Sequence, residues 1–277
     1  MLATLEADVK KLPDTSSPST AVVFPETEHD VRNQLLNLYH EWIKSLSERE
    51  KELFNMDGFY PYYFSRKVKI LFIAREAYSM AKKDYISTIY KAYSENTFNS
   101  WSLNQYPFHR RQFYLAYGIL HAAHNKGQWP SWNDVPYATD LVDKGKFATD
   151  DGISWAFMNL SKLSNETGNW QLDRSQYDSF LSNEQNRKMI RKEIELLRPD
   201  LIIGSNVYEL SDILGYDKAK VDTTNSACYY YHKTNTLSPF LNCYHFSAIK
   251  SDNSIFYEPV RDVLSDHRDE CNRMESK

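Results

Sequence analysis

The sequence is poor in cysteine and lacks long apolar runs. Its three cysteines, Cys228, Cys243 and Cys271, form no C-x-x-C pair, and an odd number cannot all pair with one another. They cannot supply a disulfide scaffold or the four thiolates of an iron–sulfur cluster, and this usage favours a reducing compartment. Residues 1–11 lack the apolar core of a signal peptide, and no run approaches the roughly 18 apolar residues of a membrane span. We therefore predict a cytoplasmic protein without a membrane partner.

The sequence also lacks an excess of positive charge. It contains 33 basic and 37 acidic side chains, and the net charge of -4 gives no general attraction to polyanions. Any contact with nucleic acid would therefore need a local basic surface. Aromatic residues are abundant, however, at 14% of the chain with 20 tyrosines. Such residues serve either a packed core or base stacking, and composition does not separate these two uses.

The histidines show no metal-binding pattern. His121 and His124 are three apart on a predicted helix, but no H-E-x-x-H spacing accompanies them. We expect ordinary core or surface histidines, and neither a metal nor another cofactor.

Four short apolar runs each end in polar residues, as buried strands do where they leave a sheet. In an open parallel sheet, ligands bind outside the carboxyl ends of the strands, so these polar ends should converge on one crevice. The runs are residues 68–74, followed by Arg75 and Glu76; 153–158, followed by Asn159; 201–203, followed by Gly204, Ser205 and Asn206; and 241–244, followed by His245.

Helical periodicity between these runs predicts an α/β protein with a single domain. Strands that alternate with helices favour a three-layer α/β/α sandwich around a central, mostly parallel, four-stranded sheet. Helices are expected near residues 31–46, 110–124, 186–197 and 255–264, with Gly215 as the C-terminal cap of another. The remaining segments are interpreted as an irregular lead-in at 1–28, a helical N-terminal extension at 29–66 and an aromatic helical insertion at 80–150.

Two basic clusters admit both a functional and a structural interpretation. Arg110 and Arg111 would suit a rim that faces nucleic acid. The predicted helix at 186–197 carries a basic stripe, but interleaved acidic residues, among them Glu184, Glu193 and Glu195, favour a solvated helix face.

Three side chains at the strand ends have the chemistry of a reactive site. A carboxylate such as Glu76 can orient or activate a water molecule, although a surface ion pair with Arg75 is the structural alternative. Asn159 supplies both donors and an acceptor, as reading the amide edge of a nucleobase requires, or else it caps a turn. His245 can stabilise an oxygen that gains negative charge, or can be a structural histidine beside aromatic residues.

In the order of these motifs the chain resembles the uracil-DNA glycosylase superfamily. Residues 74–79, Ala-Arg-Glu-Ala-Tyr-Ser, stand where the family has Gly-Gln-Asp-Pro-Tyr-His or a Gly-x-Asn-Pro-Gly variant. Residues 157–160 are similar to its base-reading strand end, and 197–204 to its leucine-x-proline-x-apolar-glycine stretch. His245-Phe246-Ser247 stands where the family has a His-Pro-Ser loop. The resemblance covers roughly residues 68–80 and 153–265.

The resemblance implies a glycosylase-like fold and a role for each residue. Glu76 would place the water and His245 would stabilise the departing base. Asn159 would read that base, which is flipped out of its stack. The resemblance also implies three further substrate contacts: Tyr78 as a pocket wall, Ser247 in the loop and Ile249 as an apolar wedge into DNA. The guanidinium of Arg75 either pairs with Glu76 or binds phosphate as a fourth contact.

Two hypotheses follow. The first is a DNA glycosylase that hydrolyses the N-glycosidic bond of a uracil-type base. The second is a catalytically inactive member of the same fold that binds a nucleotide or a protein. The balance of acidic charge favours the second, and the ordered Glu76, Asn159 and His245 favour the first.

Overall fold

The computed structural model describes residues 22–95, 97–98, 101–217, 221–222, 227–233 and 237–267. Most of the predicted lead-in at 1–28 therefore lies outside the described residues, as does Cys271. Within the described ranges the chain is an α/β protein, with helices on both faces of one large mixed sheet.

The large sheet contains seven strands in the described part of the chain, three more than the sequence predicted. The strands are β1 (Gly58–Phe59), β2 (Ile70–Ala74), β3 (Thr97–Phe98), β4 (Trp101–Ser102), β5 (Ala156–Asn159), β6 (Leu201–Ser205), β7 (Val221–Asp222), β8 (Cys228–Tyr231) and β9 (Phe240–Cys243). The spatial order in the large sheet is β1-β5-β2-β6-β9-β8-β7. A separate two-stranded sheet is formed by β3 and β4.

The four predicted strands are parallel neighbours at the centre of the sheet, and the additional strands flank them. β5, β2, β6 and β9 pair in parallel, whereas β1, β8 and β7 add antiparallel pairs outside them. Every residue of β2 is buried, as a strand covered on both faces requires. Ala74 is in register with Asn159, and Ser205 is in register with Cys243. The carboxyl ends of these strands are therefore level with one another.

Helices cover both faces of the sheet and complete a three-layer arrangement. Alternate residues of β2 point into two separate cores, with Phe72 in one and Ile73 in the other. The helices are α1 (His29–Lys44), α2 (Glu48–Leu53), α3 (Tyr85–Ser94), α4 (Pro107–His124), α5 (Ala138–Asp143), α6 (Arg174–Ser182), α7 (Glu184–Leu197), α8 (Glu209–Leu214) and α9 (Glu258–Asp266). Helices α3, α4, α5 and α9 pack on the first core, and α1, α6, α7 and α8 pack on the second.

Local sequence signals set several of these boundaries. The Asn183 side chain accepts a hydrogen bond from the Gln185 amide and caps the start of α7. Gly215 has a φ of 77° at the end of α8, which confirms the predicted glycine cap. The extension at 29–66 is not only helical, because β1 leaves it to pair with β5.

A fully buried cluster of charges lies behind the end of β5. The Lys162 ammonium is 2.6 Å from Asp57 Oδ1 and 2.9 Å from Glu193 Oε2, and all three side chains are excluded from solvent. The Tyr39 hydroxyl lies 2.7 Å from Glu193 Oε1. Burial and the neighbouring Asp57 carboxylate raise the pKa of Glu193 well above its usual range. The expectation that Glu193 belongs to a solvated face of α7 was therefore wrong.

Removing the ammonium should destabilise the fold, because two acidic groups would remain buried without their cation. We expect Lys162→Ala to lower the free energy of unfolding by about 3–5 kcal/mol, measured by urea denaturation. Lys192→Ala is the matched control, since Lys192 is partly exposed and lies 3.9 Å from Glu41. It should change stability by less than about 1 kcal/mol. Equal losses in the two variants would contradict this role for Lys162.

Candidate functional site

A cleft of about 1050 Å³ opens at the carboxyl ends of the central strands. Glu76, Asn159 and His245 all line this cleft, as do Arg75, Tyr78 and Ser247. Much of its wall is aromatic, and the aromatic and histidine side chains are Tyr78, Tyr85, Tyr106, Phe108, His109, Trp170 and His245. Three strand ends that are distant in sequence thus bring a carboxylate, an amide and an imidazole to one concave surface.

Glu76 is half-buried and is held by one of its two carboxyl oxygens. Oε1 accepts hydrogen bonds from Asn165 Nδ2 and from the Asp173 amide, both at 2.9 Å. Oε2 is buried and has no hydrogen-bond partner among the described residues. Burial raises the pKa of Glu76, and the two hydrogen bonds oppose that shift. The carboxyl group is therefore oriented by the protein through one oxygen, while the other has no partner among the described residues.

Asn159 ends β5 and is 1% exposed. Its backbone amide donates to Asp57 Oδ2 at 2.6 Å, which links it to the buried charge cluster. Its side-chain Nδ2 is buried and finds no acceptor in the part of the chain that the structure describes. Buried amides without a partner are uncommon in native proteins and invite a functional explanation. Here the amide lines a cleft that can hold a polar ligand.

His245 follows β9 by two residues and is neutral at physiological pH. Burial, with the nearby Arg75 and Arg111 charges as smaller causes, lowers the pKa of His245 to about 4. The Ser247 amide donates to His245 Nδ1 at 3.2 Å. In the neutral ring the proton is then on Nε2, so that this nitrogen is a hydrogen-bond donor. The ring packs against Phe108, with 5.8 Å between centroids.

The loop at residues 245–250 is anchored from beneath by a buried guanidinium. Arg111 donates to the carbonyl oxygens of Phe246, Ala248 and Lys250, and to Asp252 Oδ1. The Phe246 amide donates to Ser205 Oγ at 2.8 Å, at the end of β6. Arg110 also pairs with Asp252, at 2.6 Å. Of the two interpretations of Arg110 and Arg111, the contacts favour the structural one, because both guanidinium groups are bound to Asp252.

The remaining predicted contacts have different environments. Arg75 has no carboxylate within 4 Å among the described residues, although its charge is near enough to lower the pKa of Glu76 as a smaller effect than burial. Tyr78 stacks on Trp170 with ring centroids 4.9 Å apart. Ser247 is exposed on the cleft wall. Ile249 is fully exposed beside Ala248 and does not line the cleft.

Sequence reasoning missed three residues that build the site. Asp57 and Asn165 hold the backbone of Asn159 and the carboxylate of Glu76, from 102 and 89 positions away along the chain. Trp170 forms part of the wall, and its sequence signal was an isolated tryptophan in a polar loop with turn-forming residues. Such a tryptophan belongs to no periodic apolar pattern that would place it in the core, and this is the signal by which the sequence could have indicated a functional role.

The chain shows no sign of a metal centre or a membrane segment within the described ranges. No group of three or more histidine, cysteine or acidic side chains there is arranged to hold a metal ion. Among the helices of these ranges, none has the length and apolar character needed to cross a bilayer. Cys228 and Cys243 are buried free thiols on neighbouring strands, with their sulfur atoms 3.7 Å apart.

A comparison with models of known protein families found no match, and a comparison with curated protein sequences also found none. The function is therefore inferred from the geometry of the cleft.

The lowered pKa of His245 should make stability depend on pH. Between pH 6.5 and 4 the unfolded histidine is protonated while the folded one stays neutral, so acidification favours unfolding. His245 should account for about 2 kcal/mol of the stability lost between pH 7 and pH 5. His245→Asn should remove that share, as measured by urea denaturation at both pH values. His121→Asn changes a half-buried histidine outside the cleft and is the control. Identical pH dependence in His245→Asn and the unaltered protein would refute the assignment.

Proposed function

We propose that the chain is a divergent uracil-DNA glycosylase-like hydrolase that cleaves the N-glycosidic bond of a flipped uracil-type base. The observation that carries this proposal is the pair of buried, unpartnered polar atoms in the cleft. Glu76 Oε2 and Asn159 Nδ2 lack partners within the described residues, and His245 shares the cleft with them. Leaving such atoms unpaired is costly unless a ligand satisfies them. A planar, polar nucleobase between aromatic walls fits that requirement.

In this proposal each residue acts through the atom that the fold leaves available. Asn159 hydrogen-bonds the amide edge of the base, and an aromatic wall stacks on its face. The C1′–N bond breaks and its electron pair stays on the base. Neutral His245 donates from Nε2 to the base oxygen that gains negative charge. The Glu76 carboxylate offsets the positive charge on the sugar and orients a water, whose oxygen bonds to C1′ and whose proton passes to the carboxylate or to solvent.

A neutral imidazole suits this role because its Nε2–H can donate to an anionic oxygen at physiological pH without the ring first gaining a proton. The Ser247 amide fixes the tautomer, and Arg111 fixes the backbone that carries the ring. Pre-set donors of this kind need no reorganisation as charge develops, which is the main source of their catalytic effect. The predicted cytoplasmic location belongs to the same proposal.

A second candidate is a non-catalytic member of the same fold that binds a nucleotide in the cleft. One observation favours it: Glu76 Oε1 is committed to Asn165 and Asp173, so that the carboxylate also has a structural task. Both candidates use Asn159 and the aromatic walls, and they differ in whether Glu76 and His245 support turnover.

Turnover of uracil-containing DNA separates the two candidates. Single- and double-stranded oligonucleotides with one uracil are incubated with the protein, and abasic sites are then cleaved with alkali and counted. We expect abasic product, with Glu76→Gln and His245→Asn each lowering the single-turnover rate about 100-fold or more. Glu95→Gln is the matched control, because Glu95 lines the same cleft but is exposed, 3.9 Å from Lys91. It should keep nearly the full rate.

Abasic product that is unchanged in Glu76→Gln and His245→Asn would reject this assignment of the catalytic groups. No product, with tight binding of a uracil nucleotide that Asn159→Ala abolishes, would establish the binding protein instead.

The pH dependence of the rate should reflect the roles assigned to Glu76 and His245. The raised pKa of Glu76 means that its carboxylate form is lost at a higher pH than usual, so the rate should fall as the solution is acidified through that pKa. With a pKa of about 4, His245 should add no step between pH 6 and pH 8. Single-turnover rates across pH 4.5–8 test both expectations. A histidine-like step near pH 6.5 would contradict them.

A further inference from the structure

Trp170 is the most exposed ring of the cleft wall, yet one of its faces is covered. The residue is 72% exposed, and its indole stacks on Tyr78 at 4.9 Å with 16° between the ring planes. Stacking on one side leaves the opposite face of the indole open. A tryptophan held in this way is unfavourable for the free protein, because it keeps a large apolar surface in water. Such a residue is typical of a binding surface.

The loop that carries Trp170, residues 165–173, is ordered by its own polar groups. Asn165 Nδ2 donates to the Gln171 carbonyl at 2.8 Å, and Asn165 Oδ1 accepts from the Thr167 amide at 3.0 Å. Asn169 Oδ1 accepts a hydrogen bond from the Gln171 amide at 3.0 Å, so the two residues that flank Trp170 in the sequence are bonded to each other. Because the loop is already ordered, a ligand that stacks on Trp170 has little conformational entropy to remove.

Glu76 connects this loop to the site. Its Oε1 accepts hydrogen bonds from Asn165 and Asp173, the two ends of the loop. The segment of Tyr78 is tied to the loop as well, since the Ser79 amide donates to the Asn165 carbonyl. The outer aromatic surface and the inner polar groups therefore form one rigid unit.

Two cations line the same cleft and suit a phosphate backbone. Neither Arg75 nor Lys83 has a carboxylate within 4 Å in the ranges that the structure covers, whereas Glu95 on this wall lies near Lys91. Arg110 and Arg111, by contrast, are both engaged with Asp252. The cleft wall thus has two cations beside the carboxylates of Glu76 and Glu95, and it lacks the acidic excess that gives the whole chain its net charge of -4.

We infer that Trp170 is a stacking platform for an unpaired nucleotide next to the one in the cleft, so that the substrate is a single strand. This inference rests on the proposed function for the choice of nucleic acid as the ligand. An exposed indole can stack on a base only where that base is not already stacked and paired, as in a single strand. A duplex would offer mainly its backbone, and a chain with a net charge of -4 attracts that weakly.

Binding without turnover tests the inference. The probe is a fluorescein-labelled twelve-residue oligothymidine, which contains no uracil, and the comparison is the same strand in a duplex. We expect fluorescence anisotropy to show tighter binding of the single strand. Trp170→Ala should weaken that binding about 5- to 150-fold, since stacking on an aromatic is worth about 1–3 kcal/mol per base. Trp170→Phe should retain most of the affinity. Tyr137→Ala is the control, because Tyr137 is 65% exposed and does not line the cleft.

The salt dependence of binding gives a second, independent measurement. If Arg75 contacts one phosphate, Arg75→Gln should reduce the slope of log affinity against log salt concentration by about 0.7. Trp170→Phe should leave that slope unchanged, because stacking releases no counterions. Circular dichroism of every variant shows whether weaker binding reflects a lost contact or a lost fold. If Trp170→Ala unfolds, Trp170→Phe still provides a test, because it keeps an aromatic ring at this position.

The outcomes distinguish this inference from the proposed function. Equal affinity of Trp170→Ala and the unaltered protein, equal affinity for the duplex, or no strand binding at all would overturn the inference. The inference would also be overturned if a free nucleotide bound more tightly than every oligonucleotide and Trp170→Ala left its affinity unchanged. Trp170-dependent strand binding without abasic product would support the platform and reject the hydrolase. Abasic product with no effect of Trp170→Ala would do the reverse.

Discussion

The burial of Lys162 between Asp57 and Glu193 is the constraint on which the cleft depends. These charges have no access to solvent, so they are tolerable only while each keeps its partners. Asp57 also accepts from the Asn159 amide, and it therefore fixes the end of β5 where the amide side chain enters the cleft. The cluster joins the segment before β1, the segment after β5 and helix α7. A polar network of this kind specifies one arrangement of the backbone more strictly than an apolar contact does.

Much of the fold could be predicted from the sequence because the central strands have a simple physical signature. Runs buried on both faces must be apolar throughout, and Ile70–Ala74 shows this pattern directly. The flanking strands β1 and β7 are only two residues long and have no such signature. The position of β1 depends on pairing with β5, which is distant along the chain, and that of β7 on pairing with its neighbour β8. The position of Glu193 was likewise hidden, since an acidic residue among charged neighbours on a helix is usually solvated.

The candidate site likewise contains some residues that could be predicted from the sequence and others that could not. Glu76, Asn159 and His245 could be selected because parallel strand ends share one edge of a sheet. The residues that orient them could not, because Asn165, Asp57 and Arg111 act across long separations in sequence. Hydrogen bonding of this kind follows from the three-dimensional arrangement and leaves no periodic trace. The hydrogen bonds by which Glu76 orders the loop at 165–173 could not be predicted from the sequence for the same reason.

The anchoring of the loop at 245–250 has a consequence for the order in which the molecule is assembled. Arg111 reaches Phe246, Ala248 and Lys250, which lie 135 to 139 positions further along the chain. During synthesis the guanidinium emerges long before its acceptors exist, and it must stay hydrated until the last part of the sheet has been made. Contacts of such high separation form late. The imidazole would thus join the carboxylate and the amide only at the end of folding, which keeps the cleft incomplete in every shorter nascent chain.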